Sequence, residues 1–295
     1  MKKIAYFGAL MDHGASKRGV CLGPAAIRFA GLEEGLREME LETEDLGDIQ
    51  ALQTGKTLEN MRHYEQVAAM NRAVYERALS VHEKGELPVL LGGDHSVATG
   101  SILATAQRYK NIGVVWVDAH GDWNNELTTP TGNMHGMSFS AACGYGPACM
   151  AEYGQAPLFV DPKKCVQIGG REIDKEEKKR MKEAGVHVFS IDKIDRFGIR
   201  AVMEEAIAIA TDGTEGFHVS FDIDAVSPEY APGTGTTVHS GLTAREAFTV
   251  AEMLADTGKV LAIDLVEVNP IHDEHNKTAA LGAALIRSLL GERVF

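Results

Sequence analysis

Apolar runs alternate with helix-like stretches along most of the chain. Seven runs rich in Val, Ile and Leu are predicted to be strands, at residues 4–10, 87–93, 112–118, 165–170, 186–191, 217–224 and 260–268. Several of them are continuously apolar, which is typical of strands buried on both faces of a parallel sheet. Helical patterns lie between them, at residues 24–40, 58–84, 96–109, 175–184, 197–210, 243–256 and 277–290. This alternation predicts an α/β fold of three layers, α/β/α, with a mostly parallel, doubly wound sheet in the middle.

One long segment has no clear secondary-structure pattern. It spans roughly residues 121–160 and contains the sequence TTPTGNMHGM. Long loops that follow strands in such folds usually belong to a binding site. The chain has no low-complexity segment, charge block or proline-rich linker that would mark a domain boundary. We therefore expect one catalytic domain over residues 1–295.

The charge and the cysteine content of the chain indicate which binding partners and which cellular compartment are expected for the protein. The chain has 29 Lys and Arg residues against 42 Asp and Glu residues, a formal net charge of −13. This balance argues against nucleic acid or an anionic membrane and suits a cationic small molecule. The four cysteines form no CxxC pair and are interpreted as free thiols in a reducing cytoplasm. The apolar N-terminal run is interpreted as a first strand, and no run is long enough to span a membrane.

The predicted strand VVWV runs directly into the polar sequence DAHGD. In an extended chain alternate residues point to the same side, so Asp118, His120 and Asp122 would converge at the end of this strand. Burial of two carboxylates is costly unless a positive charge compensates them. Ligands bind at the carboxyl ends of strands in open α/β sheets, so a bound cation is the simplest explanation.

Three other predicted strands also end in acidic or imidazole side chains. Asp94 and His95 follow the first, Asp222 and Asp224 end the second, and Glu267 ends the third. Taken singly, such residues are explained as a helix cap, a hydrogen-bonded core histidine, a turn or a salt-bridge partner. Taken together, they lie at the same edge of the predicted sheet as the DAHGD sequence, which favours one shared site.

Six of these residues are candidate metal ligands: His95, Asp118, His120, Asp122, Asp222 and Asp224. Four carboxylates packed together cannot all ionise without cations between them, and two divalent ions would neutralise them. An oxygen-rich set with two imidazoles and no thiolate favours Mn²⁺, or a hard ion such as Mg²⁺, over zinc. Two metals about 3.5–4 Å apart lower the pKa of a bridging water, so the cluster predicts a hydrolytic site with two Mn²⁺ per chain.

Five motifs occur in a fixed order: GGDHS, DAHGDWN, GNMHG, SFDIDAVSPEYAPGTGT and VEVNP. In these motifs the chain resembles the arginase family of ureohydrolases, bacterial arginases in particular. The similarity extends from RGVCLGPAAIRFAG at residues 18–31 to NKTA near residues 276–279. The resemblance implies an arginase-like fold and hydrolysis of L-arginine to L-ornithine and urea. It also implies that a metal-bridging hydroxide attacks the guanidinium carbon.

The resemblance further implies a role for each residue of the metal site. One Mn²⁺ would be held by His95, Asp118, Asp122 and Asp222, and the other by Asp118, His120, Asp222 and Asp224. Three residues would be catalytic. Asp122 would pass a proton to the leaving amine, Glu267 would pair with the guanidinium, and His135 would shuttle protons to solvent. For His135 the alternative is an ordinary surface-loop histidine.

The implied substrate-binding residues are His120, Asn124, Thr131, Asn133, Asp174, Glu177, Thr236 and Glu267. The loop before His135 resembles the longer arginase loop rather than the shorter agmatinase one, and in arginases it contacts the amino-acid end of L-arginine. Asn124 and Thr131, near Asn133, would thus contact the α-carboxylate. Asp174, and Glu177 through water, would hold the α-ammonium. The alternative for this pair is a helix N-terminus enriched in acids.

The chain departs from the family pattern at a few positions. Ser227 and Thr237 stand where the family usually has Asp and Pro, beside one of the metal-binding strands. These two residues would alter the pocket wall or the contacts that support the metal ligands, and they would therefore affect which substrates the protein accepts. Thr131 replaces a more frequent Ser and keeps its hydroxyl.

Three other functions compete with L-arginine hydrolysis. Agmatinase, or another guanidino-compound hydrolase, is the nearest, and a metallophosphatase is a remote one. A non-enzymatic, metal-stabilised protein would be expected to lack some ligands, and all six are present. The family forms trimers and, in bacteria, often hexamers, so we expect a homo-oligomer. The Arg245–Glu246 pair is of the kind used at family interfaces.

Overall fold

A single eight-stranded sheet forms the centre of the computed structural model, which describes residues 3–153 and 156–293. The strands are β1 (Ile4–Leu10), β2 (Thr43–Gln50), β3 (Leu87–Leu91), β4 (Gly113–Val117), β5 (Cys165–Ile168), β6 (His187–Phe189), β7 (Phe217–Asp222) and β8 (Val260–Val266). Their order across the sheet is β2-β1-β3-β8-β7-β4-β5-β6. Every neighbouring pair is parallel, so the predicted doubly wound parallel sheet is confirmed.

In the part of the chain that the structure describes, nine α-helices lie between the strands along the chain and a tenth follows the last strand. They are α1 (Gly23–Phe29), α2 (Leu32–Glu38), α3 (Tyr64–Glu83), α4 (Ala98–Tyr109), α5 (Ser138–Ala142), α6 (Lys175–Ala184), α7 (Ile191–Phe197), α8 (Ile199–Thr211), α9 (Ala244–Asp256) and α10 (Lys277–Leu289). Within residues 3–153 and 156–293, none of these helices has the length and apolar character needed to cross a membrane.

Both faces of the sheet are buried beneath helices. In β1, Ile4 and Tyr6 pack into one core, which includes α1, α2, α8, α9 and α10, whereas Phe7 and Ala9 pack into a second core beneath α3 and α4. A third apolar cluster continues that second face beneath α4, α5 and α6. Alternate residues of one strand therefore enter opposite layers, which explains why the strands read as continuously apolar.

β2 is the one strand that the hydrophobic pattern does not predict. Its sequence TEDLGDIQ carries three acidic residues and is mostly exposed. It is an edge strand that pairs with β1, and Arg28 binds Asp45 and Asp48 on it, each at 2.7 Å. Edge strands commonly carry charged side chains, and no residue of β2 is fully buried, so the hydrophobic signal of this strand is weak.

Three predicted helices have different bounds in the structure. The helix predicted at 24–40 is two helices, because Gly31 between them has a left-handed backbone with φ of 86°. The helix predicted at 58–84 begins only at Tyr64, and the preceding segment packs on the loop after β4. The helix predicted at 197–210 is α8, which follows the separate short helix α7. Local periodicity does not distinguish a continuous helix from two helices that share a turn.

Candidate metal centre and substrate cleft

His95 is placed by a tight connection after β3. A side chain at Gly93 would lie 1.8 Å from a backbone oxygen of the loop after β1, so only glycine fits there. Asp94 accepts a hydrogen bond from the backbone N–H of Ser96 at 3.0 Å and caps the short 3-10 turn at residues 95–97. The cap was the ordinary explanation for Asp94, and it holds. The turn brings His95 to the carboxyl edge of the sheet.

Aromatic rings hold the imidazole of His95 in a fixed plane. Its ring is stacked on Trp116 with centroids 3.9 Å apart, and Trp116 is stacked on Phe139 at 4.6 Å. His95 Nε2 lies 2.9 Å from Ser220 Oγ, which leaves Nδ1 facing the carboxylates. The indole of Trp116 donates from Nε1 to Asp118 Oδ2 at 2.8 Å. One buried tryptophan thus orients two candidate ligands.

Three aspartates converge on His95 Nδ1. Asp118 Oδ2 and Asp222 Oδ2 each lie 3.1 Å from it, and Asp122 Oδ2 lies 3.3 Å away. His95, Asp118 and Asp122 are all buried and present ligand atoms close enough together to hold one ion. Residues from β3, β4 and β7 therefore meet at one point.

The geometry that joins Asp118 to Asp122 differs from the extended one assumed from the sequence. β4 ends at Val117, before the first of these residues. Asp118 Oδ1 accepts a hydrogen bond from the backbone N–H of His120 at 2.6 Å, and Asp122 has a positive φ of 46°. The residues converge because the chain turns after β4, and not because it stays extended, as was assumed from the sequence.

A second group of ligand atoms forms around His120. Its Nδ1 lies 3.1 Å from Asp224 Oδ2 and 3.4 Å from Asp118 Oδ1. Asp224 follows β7 in a 3-10 turn, where its backbone N–H donates to Asp222 Oδ1 at 2.7 Å. The ordinary turn explanation for Asp222 and Asp224 is therefore correct in part, and the turn also directs both carboxylates to the site. Asp118 belongs to both ligand groups.

The protein groups alone leave this cluster electrostatically uncompensated. Burial, and then the charge of Asp118, raise the pKa of Asp122 well above its usual range. Burial and the charge of Asp224 do the same to the pKa of Asp222. Burial opposes ionisation of Asp118 as well, but hydrogen bonds from His120 and His95 bring its pKa below the usual range. Mutual repulsion of this kind indicates a site that divalent cations would stabilise, and the oxygen-rich donor set fits such ions.

Glu267 lies directly beneath the loop that carries His135. Glu267 has a left-handed backbone, with φ of 64°, and is almost completely buried. Its Oε1 accepts from the backbone N–H of His95 at 2.9 Å and lies 3.0 Å from His135 Nδ1. Burial opposes the charged imidazole, but the hydrogen bond and charge of Glu267 raise the pKa of His135 above its usual range. His135 is thus paired at the site and is not a free loop histidine.

A cleft of about 310 Å³ opens above the two ligand groups. It is lined by seven of the eight residues expected to bind substrate: His120, Asn124, Thr131, Asn133, Asp174, Glu177 and Thr236. The eighth, Glu267, contacts His135, which also lines the cleft. At the rim, Thr131 Oγ1 accepts from the backbone N–H of Asn133 at 3.2 Å. Deeper in, Thr236 Oγ1 donates to Asp224 Oδ2 at 3.1 Å.

Two acids at the start of α6 form one wall of the cleft. Asp174 Oδ2 accepts from Asn124 Nδ2 at 3.0 Å, so residues from two separate loops meet there. Glu177 accepts from the backbone N–H groups of Trp123 and Asp174, both at 2.8 Å. Burial raises the pKa of Glu177 to about 7. The helix-terminus explanation is correct for Glu177, which closes a capping box, and the same residue also faces the cleft.

Comparison with known proteins agrees with this geometry. A model of the arginase family matches residues 2–291. The chain belongs to the arginase family. It is similar to the arginase of Bacillus caldovelox, with 41% identity over 298 residues and complete coverage of both chains. It is also similar to the arginase of Bacillus subtilis, with 41% identity over 295 residues and 99% coverage of each. The solved structure of the Bacillus caldovelox enzyme superposes with a TM-score of 0.95, at 42% identity and complete coverage of both chains.

Some residues of this arginase-family site were not found from the sequence. Thr129 and Glu172 line the cleft, and Ser220 holds His95. Thr129 lies within the loop sequence TTPTGNMHGM. The sequence predicted that this loop belongs to a binding site, but it did not identify Thr129 in particular. Arg171 donates to the backbone oxygens of Asp224 at 2.7 Å and of Val238 at 2.8 Å, which joins the loop after β7 to the segment that ends at His239. No local pattern distinguishes such an arginine from a surface one.

The departures from the family pattern lie away from the ligand atoms. Ser227 is buried, and its hydroxyl donates to Glu229 rather than to a metal-site carboxylate. Thr237 is exposed. Neither side chain lines the cleft among the described residues.

Proposed function

We propose that this protein hydrolyses L-arginine to L-ornithine and urea, as one catalytic domain that holds two Mn²⁺. Two observations together carry the proposal. The two ligand groups have Asp118 in common, and the cleft above them has Asp174 and Glu177 in its wall. Negative charge at both ends of the cleft suits a substrate with a guanidinium at one end and an ammonium at the other.

We assign the ligands of each ion as the family resemblance implies, and the two groups of ligand atoms around His95 and His120 support this assignment. His95, Asp118, Asp122 and Asp222 would hold one Mn²⁺, and Asp118, His120, Asp222 and Asp224 the other. When bound, such a pair of ions supplies Lewis acidity and an activated water at neutral pH. The carboxylates would hold both ions beneath the cleft, and the stack of His95 on Trp116 limits movement of the imidazole.

The catalytic side chains bind the guanidinium and move protons. Glu267, buried beside the ligands, accepts hydrogen bonds from the guanidinium and fixes its position. Asp122 is the residue that gives a proton to the leaving amine, because its carboxyl lies among the ligands and also lines the cleft. His135 lines the same cleft and carries that proton between the site and solvent.

The outer cleft recognises the amino-acid end. Asn124, Thr131 and Asn133 supply amide and hydroxyl groups to the α-carboxylate, and Asp174 and Glu177 bind the α-ammonium. Agmatine keeps the amino group but lacks the α-carboxylate, so it would leave Asn124, Thr131 and Asn133 without that partner. Because unmatched polar groups discriminate strongly, these three residues favour L-arginine over agmatine.

The same proposal covers assembly and location. A trimer or hexamer in the cytoplasm is what the family implies for this chain, with no nucleic-acid or membrane partner. In the single chain described, Arg245 pairs with Glu252, and Glu246 caps α9. Light scattering on the purified protein tests the oligomeric state.

Urea release is the direct test. The full-length protein is assayed with L-arginine and with agmatine, each with and without added Mn²⁺. Mn²⁺-dependent urea production that is much faster from L-arginine supports the proposal. Equal or faster turnover of agmatine would instead support an agmatinase, and no urea from either substrate would overturn both assignments.

A further inference from the structure

A second, smaller cavity opens beside the substrate cleft. It has a volume of about 170 Å³ and is lined by Asp12, His13, Ala15, Ser16, Arg18, Arg62, His63 and Asn133. Asn133 lines both this cavity and the cleft, so the two adjoin at the rim that we assign to the α-carboxylate. We call the smaller cavity the side cavity.

Two arginines, Arg18 and Arg62, line the side cavity. Its only carboxylate, Asp12, is already neutralised: Oδ1 lies 2.9 Å from Arg18 Nη2, and Oδ2 accepts from the backbone N–H of Gly19 at 3.0 Å. Burial works against its charge, but hydrogen bonds from Cys21 and Gly19 and the charge of Arg18 bring the pKa of Asp12 below its usual range. Asp12 therefore remains ionised, and its pairing with Arg18 leaves the charge of Arg62 uncompensated.

Two donors in the side cavity have no acceptor. Within residues 3–153 and 156–293, the guanidinium of Arg62 makes no hydrogen bond or ion pair, and only its backbone N–H is engaged, with Gly132 O at 2.8 Å. His13 Nδ1 is buried without a hydrogen-bond partner, and Asp12 Oδ1 is 3.9 Å away. The His13 ring contacts His63 edge-on, with centroids 5.3 Å apart. A buried polar atom without a partner is costly, so His13 Nδ1 indicates a place for a hydrogen-bonding group, and the solvent-exposed guanidinium of Arg62 adds a positive charge beside it.

The side cavity is physically joined to the substrate loop. Ser16 Oγ exchanges hydrogen bonds with the Asn133 side chain at 2.7 and 3.0 Å. The backbone N–H of His135 donates to Gly14 O at 3.1 Å. On the other side, Asn60 Nδ2 donates to Glu126 O at 2.7 Å. An anion bound here would therefore influence the position of the loop that carries Asn133 and His135, which we assign to binding the amino-acid end of the substrate.

From this arrangement we propose that the side cavity is an anion subsite that binds a carboxylate or another small oxyanion, with Arg62 and His13 as its donors. The proposal rests on the proposed function, because it extends the cleft at the α-carboxylate end. In a chain with a net charge of −13, a positive rim beside an acidic floor orients an amino acid that enters with its guanidinium first. The oxyanion has two possible sources, the carboxylate of the substrate and a free anion.

Kinetics of Mn²⁺-loaded Arg62→Gln test the first source. The control is Arg72→Gln, which removes another exposed charge, on α3, where Arg72 is paired with Glu76 and lines neither cavity. If the substrate supplies the carboxylate, Arg62→Gln lowers the ratio of kcat/KM for L-arginine over agmatine about 2- to 5-fold, mainly through KM, as an exposed charge contact allows. Arg62→Lys should restore most of the ratio, because it restores the charge.

Binding of inorganic phosphate tests the second source. If a free anion fills the side cavity, phosphate raises the melting temperature of wild-type protein and of Arg72→Gln in a saturable way, and Arg62→Gln weakens this response. The proposal is overturned if Arg62→Gln matches Arg72→Gln in both experiments. If neither L-arginine nor agmatine is hydrolysed by wild-type protein, the proposed function fails, while the phosphate experiment still decides whether the cavity binds anions.

Discussion

The indole of Trp116 lies parallel to the imidazole of His95, with ring centroids 3.9 Å apart and an angle of 8° between the planes. The same indole donates from Nε1 to Asp118 Oδ2 at 2.8 Å. Trp116 is completely buried and touches no solvent. It therefore supports both ligand groups, because His95 belongs to one of them and Asp118 to both.

Trp116→Phe should weaken metal binding without unfolding the protein. Phenylalanine keeps an aromatic ring against His95 but removes the hydrogen bond to Asp118, and loss of such a supporting contact typically costs about 10- to 100-fold in metal affinity. Titration of metal-free protein with Mn²⁺ measures the effect. Trp123→Phe is the matched control, because Trp123 Nε1 is buried without a hydrogen-bond partner. Equal Mn²⁺ affinity in both variants would contradict the assigned role of Trp116.

Asp118→Ala should reduce the Mn²⁺ content from two ions per chain towards none, and Asp222→Ala should do the same. Both carboxylates are assigned to both ions, so neither ion keeps its full ligand set in these variants. Asp224→Ala is the comparison, because Asp224 is assigned to one ion and should leave the other bound. Elemental analysis after gel filtration gives the stoichiometry. Two ions per chain in Asp118→Ala would refute the shared-ligand arrangement.

His135→Ala should bind both ions normally and turn over L-arginine more slowly. A positioned acid or base contributes typically about 10²–10⁴-fold, and His135 is fixed by its contact with Glu267 Oε1 at 3.0 Å. Steady-state rates from pH 6 to 10, with and without added imidazole, measure the loss and its chemical rescue. Full activity at every pH would show that His135 has only a structural role.

Asp174→Ala should weaken use of L-arginine far more than it affects the metal site. Loss of a charge-assisted contact with the α-ammonium is expected to lower kcat/KM for L-arginine about tenfold, since Asp174 is solvent-exposed. Glu176→Ala is the control, because it removes a similar charge from the first turn of α6. A loss of bound Mn²⁺ in Asp174→Ala, or the same kcat/KM for L-arginine in Asp174→Ala and Glu176→Ala, would contradict the assignment of Asp174 to the α-ammonium.

Glu177→Gln should change how stability depends on pH. Burial raises the pKa of Glu177 from 4.5 to about 7, so the folded protein holds a proton that the unfolded chain has already released between these values. Stability contributed by this group therefore falls as the pH rises through that window. In metal-free protein, the melting temperature of the wild type should decline more steeply from pH 5 to pH 7 than that of Glu177→Gln. Parallel curves would show that Glu177 ionises normally.

The sequence alone was sufficient for the sheet and for the identity of the residues at its edge. Continuous apolar runs predicted seven of the eight strands, because burial on both faces leaves a strong local signal. His95, Asp118 and Asp222 were identified because charged groups directly after such runs are rare without a compensating function. Family motifs then supplied roles for Asn124 and Asp174, which no local pattern would assign.

Only the tertiary structure decided how these residues meet. The order β3-β8-β7-β4 brings four strand ends together, although their sequence separations are large and no local period encodes that pairing. Three features depend on contacts between distant segments: the turn with positive φ at Asp122, the support of His95 by Trp116 and the position of Arg62 at the side cavity. Periodicity reports which side of an element is buried, whereas the partner across that surface is selected by the packing of the whole chain.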